Sequence, residues 1–135
     1  MDEIPAGLSA FLAAVLARDA TDAAAQLAEY VILESPIDVK PFVGREQVAK
    51  VMSQVLKAFD ECTITQIISG DGTFAVVTNV KIGTTEMDAI ELIGINAEGK
   101  VASLSIHLRP VRAIVALHDR LAANGMPILT PTQEC

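Results

Sequence analysis

The chain has 135 residues, 51% of them apolar, and seventeen acidic against ten basic groups give it a net charge of −7. That length suits one domain with a proper core, and the acidic balance, with scattered Lys and Arg and no Trp, excludes both a phosphate-binding stripe and a base-stacking ladder, so no nucleic-acid partner is expected. No apolar run nears the roughly 20 residues of a membrane span, and the opening Met1-Asp2-Glu3-Ile4-Pro5 is acidic where a secretory leader would be basic, so a cytoplasmic protein with no membrane partner is expected.

In chain order, Ile4, Leu8, Phe11, Leu12, Val15 and Leu16 recur at helical spacing, which predicts an amphipathic helix over residues 4–18, ended at Arg18-Asp19. Asp19 or Thr21 can cap a short second helix running to Leu27 through Ala23, Ala24 and Ala25. Glu29 to Asp38 reads as a strand stopped by Pro36, with loop through Pro41. Gly44 can cap a long helix whose stripe is Val48, Val51, Met52, Val55, Leu56 and Phe59. Strands follow at Thr63–Ser69 and Thr73–Ile82, separated by short glycine turns that imply antiparallel neighbours.

Glu86 to Pro110 then reads as two strands folded back at Asn96-Ala97-Glu98-Gly99. In the second arm Ala102, Leu104, Ile106 and Leu108 alternate with Ser103, Ser105, His107 and Arg109, a half-buried strand with His107 on the polar face. The first arm is different, because Ala89, Ile90, Leu92, Ile93 and Ile95 are apolar on both faces and Glu91 is the one charge among them. A carboxylate in such a run must be paired, hydrogen-bonded or protonated, so Glu91 is the leading candidate for chemistry. A structural carboxylate paired across the sheet is the plain alternative. Beyond Pro110, Val111, Ile114, Leu117 and Leu121 predict a last helix with Asn124-Gly125 as its stop, and residues 126–135 an irregular tail behind a single domain over 1–125.

Helices first and a meander afterwards define an α+β arrangement. Cys62 and Cys135 have neither metal-ligand nor redox spacing and are expected as free thiols. Two unlinked histidines, His107 and His118, make no metal site, and no cofactor motif is present.

On the helix ending in Arg18-Asp19, the segment Glu34-Ser35-Pro36, the opening Phe42-Val43-Gly44-Arg45-Glu46, the hairpin Glu98-Gly99-Lys100-Val101 and the closing Leu108-Arg109-Pro110, the chain resembles the SnoaL-like group of the nuclear-transport-factor-2-like (NTF2-like, cystatin-like) superfamily. That group includes ketosteroid isomerases and polyketide cyclases. The resemblance implies a cone in which a curved antiparallel sheet and three to four helices enclose a pocket for a small hydrophobic molecule, while the convex face forms a homodimer. It implies isomerase, cyclase or dehydratase-type proton transfer on a steroid-like or polyketide-like carbonyl compound. The isomerases' Tyr falls on Phe11, which cannot donate a hydrogen bond. Their base falls on Ser35, and their protonated acid falls on Glu91. The pocket so implied is lined by Phe11, Val15, Leu33, Val55, Leu104 and Ile106, with Asn79 if the strand of residues 73–82 turns Ala75 and Val77 inward; the opposite phase turns Thr78 inward. A non-catalytic dimeric binding module is the rival from another class.

Overall fold

In the computed structural model, which describes residues 4–124, helix α1 (Ala6–Leu16) turns Leu8, Phe11, Leu12 and Ala14 to the core. It stops at Arg18, whose backbone is left-handed with φ 59°. Asp19 rather than Thr21 caps α2 (Ala20–Ala25), its carboxylate accepting from the Asp22 N–H at 3.0 Å. α2 ends before Leu27, because Leu27 already lies opposite Val101 and opens β1 (Leu27–Glu34). β1 thus begins and ends earlier than the sequence suggests. The Ser35 hydroxyl accepts the N–H groups of Ile37 and Asp38, each at 3.3 Å, and starts the turn that ends the strand.

A two-residue strand, β2 (Phe42–Val43), then folds back on β1 with Leu33 opposite Phe42, an element that no periodicity announces. Gly44, at φ 97°, opens α3 (Arg45–Ala58), and Gln47 accepts from the Val43 N–H at 2.9 Å. The buried stripe of α3 is Val48, Val51, Met52 and Leu56. β3 (Glu61–Gly70), β4 (Thr73–Ile82), β5 (Thr85–Ile95) and β6 (Val101–Arg109) form the meander, and α4 (Val111–Ala123) closes the described chain. Asn124 follows α4 without left-handed backbone, φ −83°. Gly125 and the tail over 126–135, with Cys135, lie outside the described residues.

The six strands run in the order β2-β1-β6-β5-β4-β3. Every pair is antiparallel except β1 with β6, which is parallel. This corrects the expectation of a wholly antiparallel sheet: the whole meander intervenes between β1 and its neighbour, and brings β6 alongside β1 running the same way. The last register point of that pair is Glu34 opposite Ser105, so β6 beyond Ser105 is bonded to β5 alone.

Alternation fixes the two faces of the sheet. Phe74, Val76, Thr78, Val80 and Ile82 of β4 and Met87, Ala89 and Ile93 of β5 are buried against the helices. Ile90 and Leu92 point the other way and are 42% and 39% exposed, so the first hairpin arm is covered on one face only within this chain. At the tip of that hairpin Gly7 lies against the Gly99 carbonyl so closely that a Cβ there would overlap it. Burying each of Leu8, Phe11, Leu33 and Ile93 contributes roughly 1.5–3 kcal/mol, and the whole set forms one apolar cluster between helices and sheet.

Candidate functional site

The helices do not fill the inner face of the sheet completely. A hollow of about 60 Å³ remains under α3, bounded by Leu33, Val55, Phe59, Met87 and Ile106. A second, of about 40 Å³, lies toward α1 against Phe11, Val15, Cys62 and Leu104. The two share Met52, Val55, Phe59, Val80, Ile106 and Glu91 as walls. Glu91 therefore stands between them, and the surface that this half-buried residue keeps belongs to the hollows.

β5 explains why. Its inward phase runs Met87, Ala89, Glu91, Ile93, and Glu91 sits opposite Val76 of β4 and Ile106 of β6, both apolar. Among the described residues no hydrogen bond or ion pair reaches its carboxyl. Burial alone pushes that carboxyl up from 4.5 to about 7. An acid so placed is a mixture of neutral and ionised forms near neutrality, and in its neutral form it is a hydrogen-bond donor to anything occupying the hollows. The Cys62 thiol is pushed up as well, by burial first and by the neighbouring Glu91 charge second, so it is no ready nucleophile.

Phe59, which walls both hollows, is held from outside. The Arg18 guanidinium lies 5.3 Å from its ring centroid and donates to the Asp60 carbonyl. Arg120 donates to the Ala58 carbonyl at 2.8 Å. The Asp60 carboxylate accepts from the Gly83 N–H at 2.7 Å, the main reason it lies below the usual carboxylate range, with Arg120 second. Periodicity could not find this clamp, whose members are 42 and 62 positions apart in sequence.

Of the residues singled out from the sequence, Glu91, Val55 and Ile106 border both hollows, Leu33 and Ser35 the larger, and Phe11, Val15 and Leu104 the smaller. Phe11 is 1% exposed and fills space rather than presenting a polar group. Ser35 reaches the rim, but its hydroxyl is engaged by the turn that follows. Asn79 is not in the hollows. β4 turns Thr78 inward, and the Asn79 amide donates on the outer face to Glu86 at 3.1 Å and Asp88 at 3.4 Å. Three adjoining carbonyl and carboxylate acceptors outside receive that amide. His107 is outside too, bonded to the Ser105 hydroxyl at 3.0 Å.

Where β1 leaves the sheet, a shallow outer chamber of about 380 Å³, broadly open to solvent, lies between the Ser35–Val39 loop, β6 and Ile114 of α4. It shares Ser35, Pro36, Ile106 and Leu108 with the larger hollow. Among the described residues no group of three or more His, Cys, Asp or Glu could hold a metal ion, and no helix is long and apolar enough to cross a membrane.

Compared with known proteins, residues 8–119 match the family model described as the SnoaL-like domain. An uncharacterised bacterial protein with a cystatin-like fold from Silicibacter pomeroyi superposes with a TM-score of 0.85 at 26% identity, over 90% of this chain and 86% of that one. A steroid delta-isomerase from Pseudomonas aeruginosa superposes with a TM-score of 0.83 at 21% identity, over 92% and 95%. A designed protein with a curved β-sheet reaches 0.69 at 16% identity, over 87% and 96%. No curated protein matches the chain.

Proposed function

The chain belongs to the SnoaL-like domain family, with the cone of the NTF2-like superfamily, and from that premise we propose that it binds a small, mainly apolar carbonyl compound with the carbonyl oxygen against Glu91. One observation carries this: a carboxyl with no protein partner, in apolar surroundings that keep it substantially protonated, standing where two hollows meet. A neutral acid there donates to a carbonyl oxygen and stabilises the negative charge that develops on it when a base from solvent takes a proton from the adjacent carbon. Ketosteroid isomerases give a neutral carboxylic acid in an apolar site the same part. Phe11 offers no polar group, and the Ser35 hydroxyl, which accepts two backbone N–H groups at the rim, is no base, so the supported step is polarisation of the carbonyl by the neutral Glu91.

The hollow is well under the roughly 300 Å³ usual for ligand sites, so the buried part of the ligand is a short aliphatic group and not a ring system of steroid size. Met52 and Met87, both lining the larger hollow, are the side chains best able to give way to it.

Thermal shift with cyclohexanone tests the reading, because a ligand held by the native state alone raises the melting temperature. The stabilisation is expected in acid, where Glu91 is neutral, and should fade as pH rises through about 7. Glu91→Gln, whose amide donates at every pH, should keep it throughout. The same pH profile in both proteins would remove Glu91 from the site. A second reading, a non-catalytic homodimeric interaction module using the exposed Ile68, Ile90 and Leu92 of the outer face, is favoured by the small hollow. Homodimerisation through that face is part of both readings.

A further inference from the structure

The hollow beside Glu91 is too small to hold a whole ligand of ordinary size, and the chamber next to it is not. Four residues, Ser35, Pro36, Ile106 and Leu108, are common to both, so a single layer of side chains separates them. The separation exists because β1 ends its pairing at Glu34 opposite Ser105, which leaves β6 from Ile106 onward without a neighbour on that side. A break in the sheet thus lies directly over the Glu91 hollow. Ile106 borders the larger hollow, the smaller hollow and the chamber alike.

The chamber differs from the hollow in chemistry. Its wall carries Glu34, Asp38, Ser105 and His107 beside apolar Pro36 and Ile114. Among the described residues lining it there are two carboxylates and neither lysine nor arginine. Glu34 is exposed at the end of β1 and forms no ion pair among the described residues, while Asp38 accepts the Lys40 backbone N–H at 3.1 Å. The nearest arginine along β6, Arg109, is committed to Asp88 at 2.8 Å. The local field therefore favours a positive or neutral polar group and opposes an anion, in a chain whose net charge is −7.

Resting on the reading of Glu91 above, we infer that the break between β1 and β6 is the second half of the ligand site: the ligand is amphipathic, its short carbonyl-bearing end in the hollow and its polar, cationic or uncharged end in the outer chamber against Glu34 and Asp38. Carboxylate- and phosphate-terminated compounds of the same length bind more weakly. Taken together, hollow and chamber reach the size usual for a small-molecule site, which neither the hollow nor its twin does alone.

Three probes of equal chain length separate the possibilities: heptan-2-one, its trimethylammonium-terminated analogue and its carboxylate-terminated analogue, each titrated by calorimetry and by thermal shift. The cationic probe should bind tightest and the anionic one weakest, by about two- to fivefold per carboxylate engaged, with the gap closing at high salt. Glu34→Lys, at an exposed position that the core does not use, should reverse the order of the charged probes relative to each other, with heptan-2-one as the uncharged reference in the same protein. Equal affinity for all three probes, or an order that Glu34→Lys leaves untouched, overturns the chamber while leaving the Glu91 hollow standing. No binding of any probe, in wild type or in Glu91→Gln, overturns both.

Discussion

Glu91 is a side chain that gains a proton when the chain folds, and this gives it a signature in stability as well as in binding. Its carboxyl titrates at about 7 in the native state against 4.5 ordinarily, so between those values the folded chain holds more protons than the unfolded one. Stability must then fall as pH rises from about 4.5 to about 7 and level off beyond, by on the order of 3 kcal/mol in total. Urea denaturation across that range should show the slope in wild type and lose it in Glu91→Gln; the difference between the two isolates this residue, since Asp60 is held low and titrates beneath the window. Parallel curves would mean that the native carboxyl is ionised and solvated. That Glu91 stands out was legible in the sequence, because one charge in a run of β-formers is costly to bury. That Asn79 faces outward was not read, since Ala75, Val77, Thr78 and Val80 are compatible with either face; the choice follows from burying Phe74, Val76, Val80 and Ile82 together, and Glu86 and Asp88 then receive the amide.

At the scale of elements, α1 and the β5–β6 hairpin meet at a point where both give up their side chains. Gly7 sits in a helix, where alanine would ordinarily be worth about 1 kcal/mol more. Here a methyl group would strike the Gly99 carbonyl, which is backbone and cannot swing aside. Gly7→Ala is therefore expected to destabilise by about 1–3 kcal/mol net, as overpacking does, and thermal unfolding would read it directly. A stabilised variant would show that α1 can slide along the sheet. The long helix α3 and the glycine turns at Gly72, Gly83 and Gly99 were readable, because a stripe of apolar residues and a need for positive φ are local properties. β2 was not: two residues carry no periodicity, and the strand exists because Phe42 finds Leu33. The same holds for β1 beside β6, whose pairing joins Leu27 to Val101 across most of the chain.

For the whole molecule, the proposed dimer rests on the outer face of the sheet. Ile68 of β3 and Ile90 and Leu92 of β5 are 51%, 42% and 39% exposed, with Ala75 and Val77 of β4 between them. A contiguous apolar patch on a sheet is what a second copy covers. Sedimentation at micromolar concentration should give twice the chain mass of 14.3 kDa, and Ile90→Lys should give the single chain with its fold intact. A wild-type protein that sediments as one chain would remove the dimer from both functional readings. The parallel partnership of β1 with β6 also sets an order of assembly. While the chain emerges from a ribosome, β3, β4 and β5 can zip together one after another, since each waits only for the next. β1, made long before them, has only the two residues of β2 to pair with until residues 101–105 appear, so the earliest strand to be synthesised is among the last to gain its long neighbour.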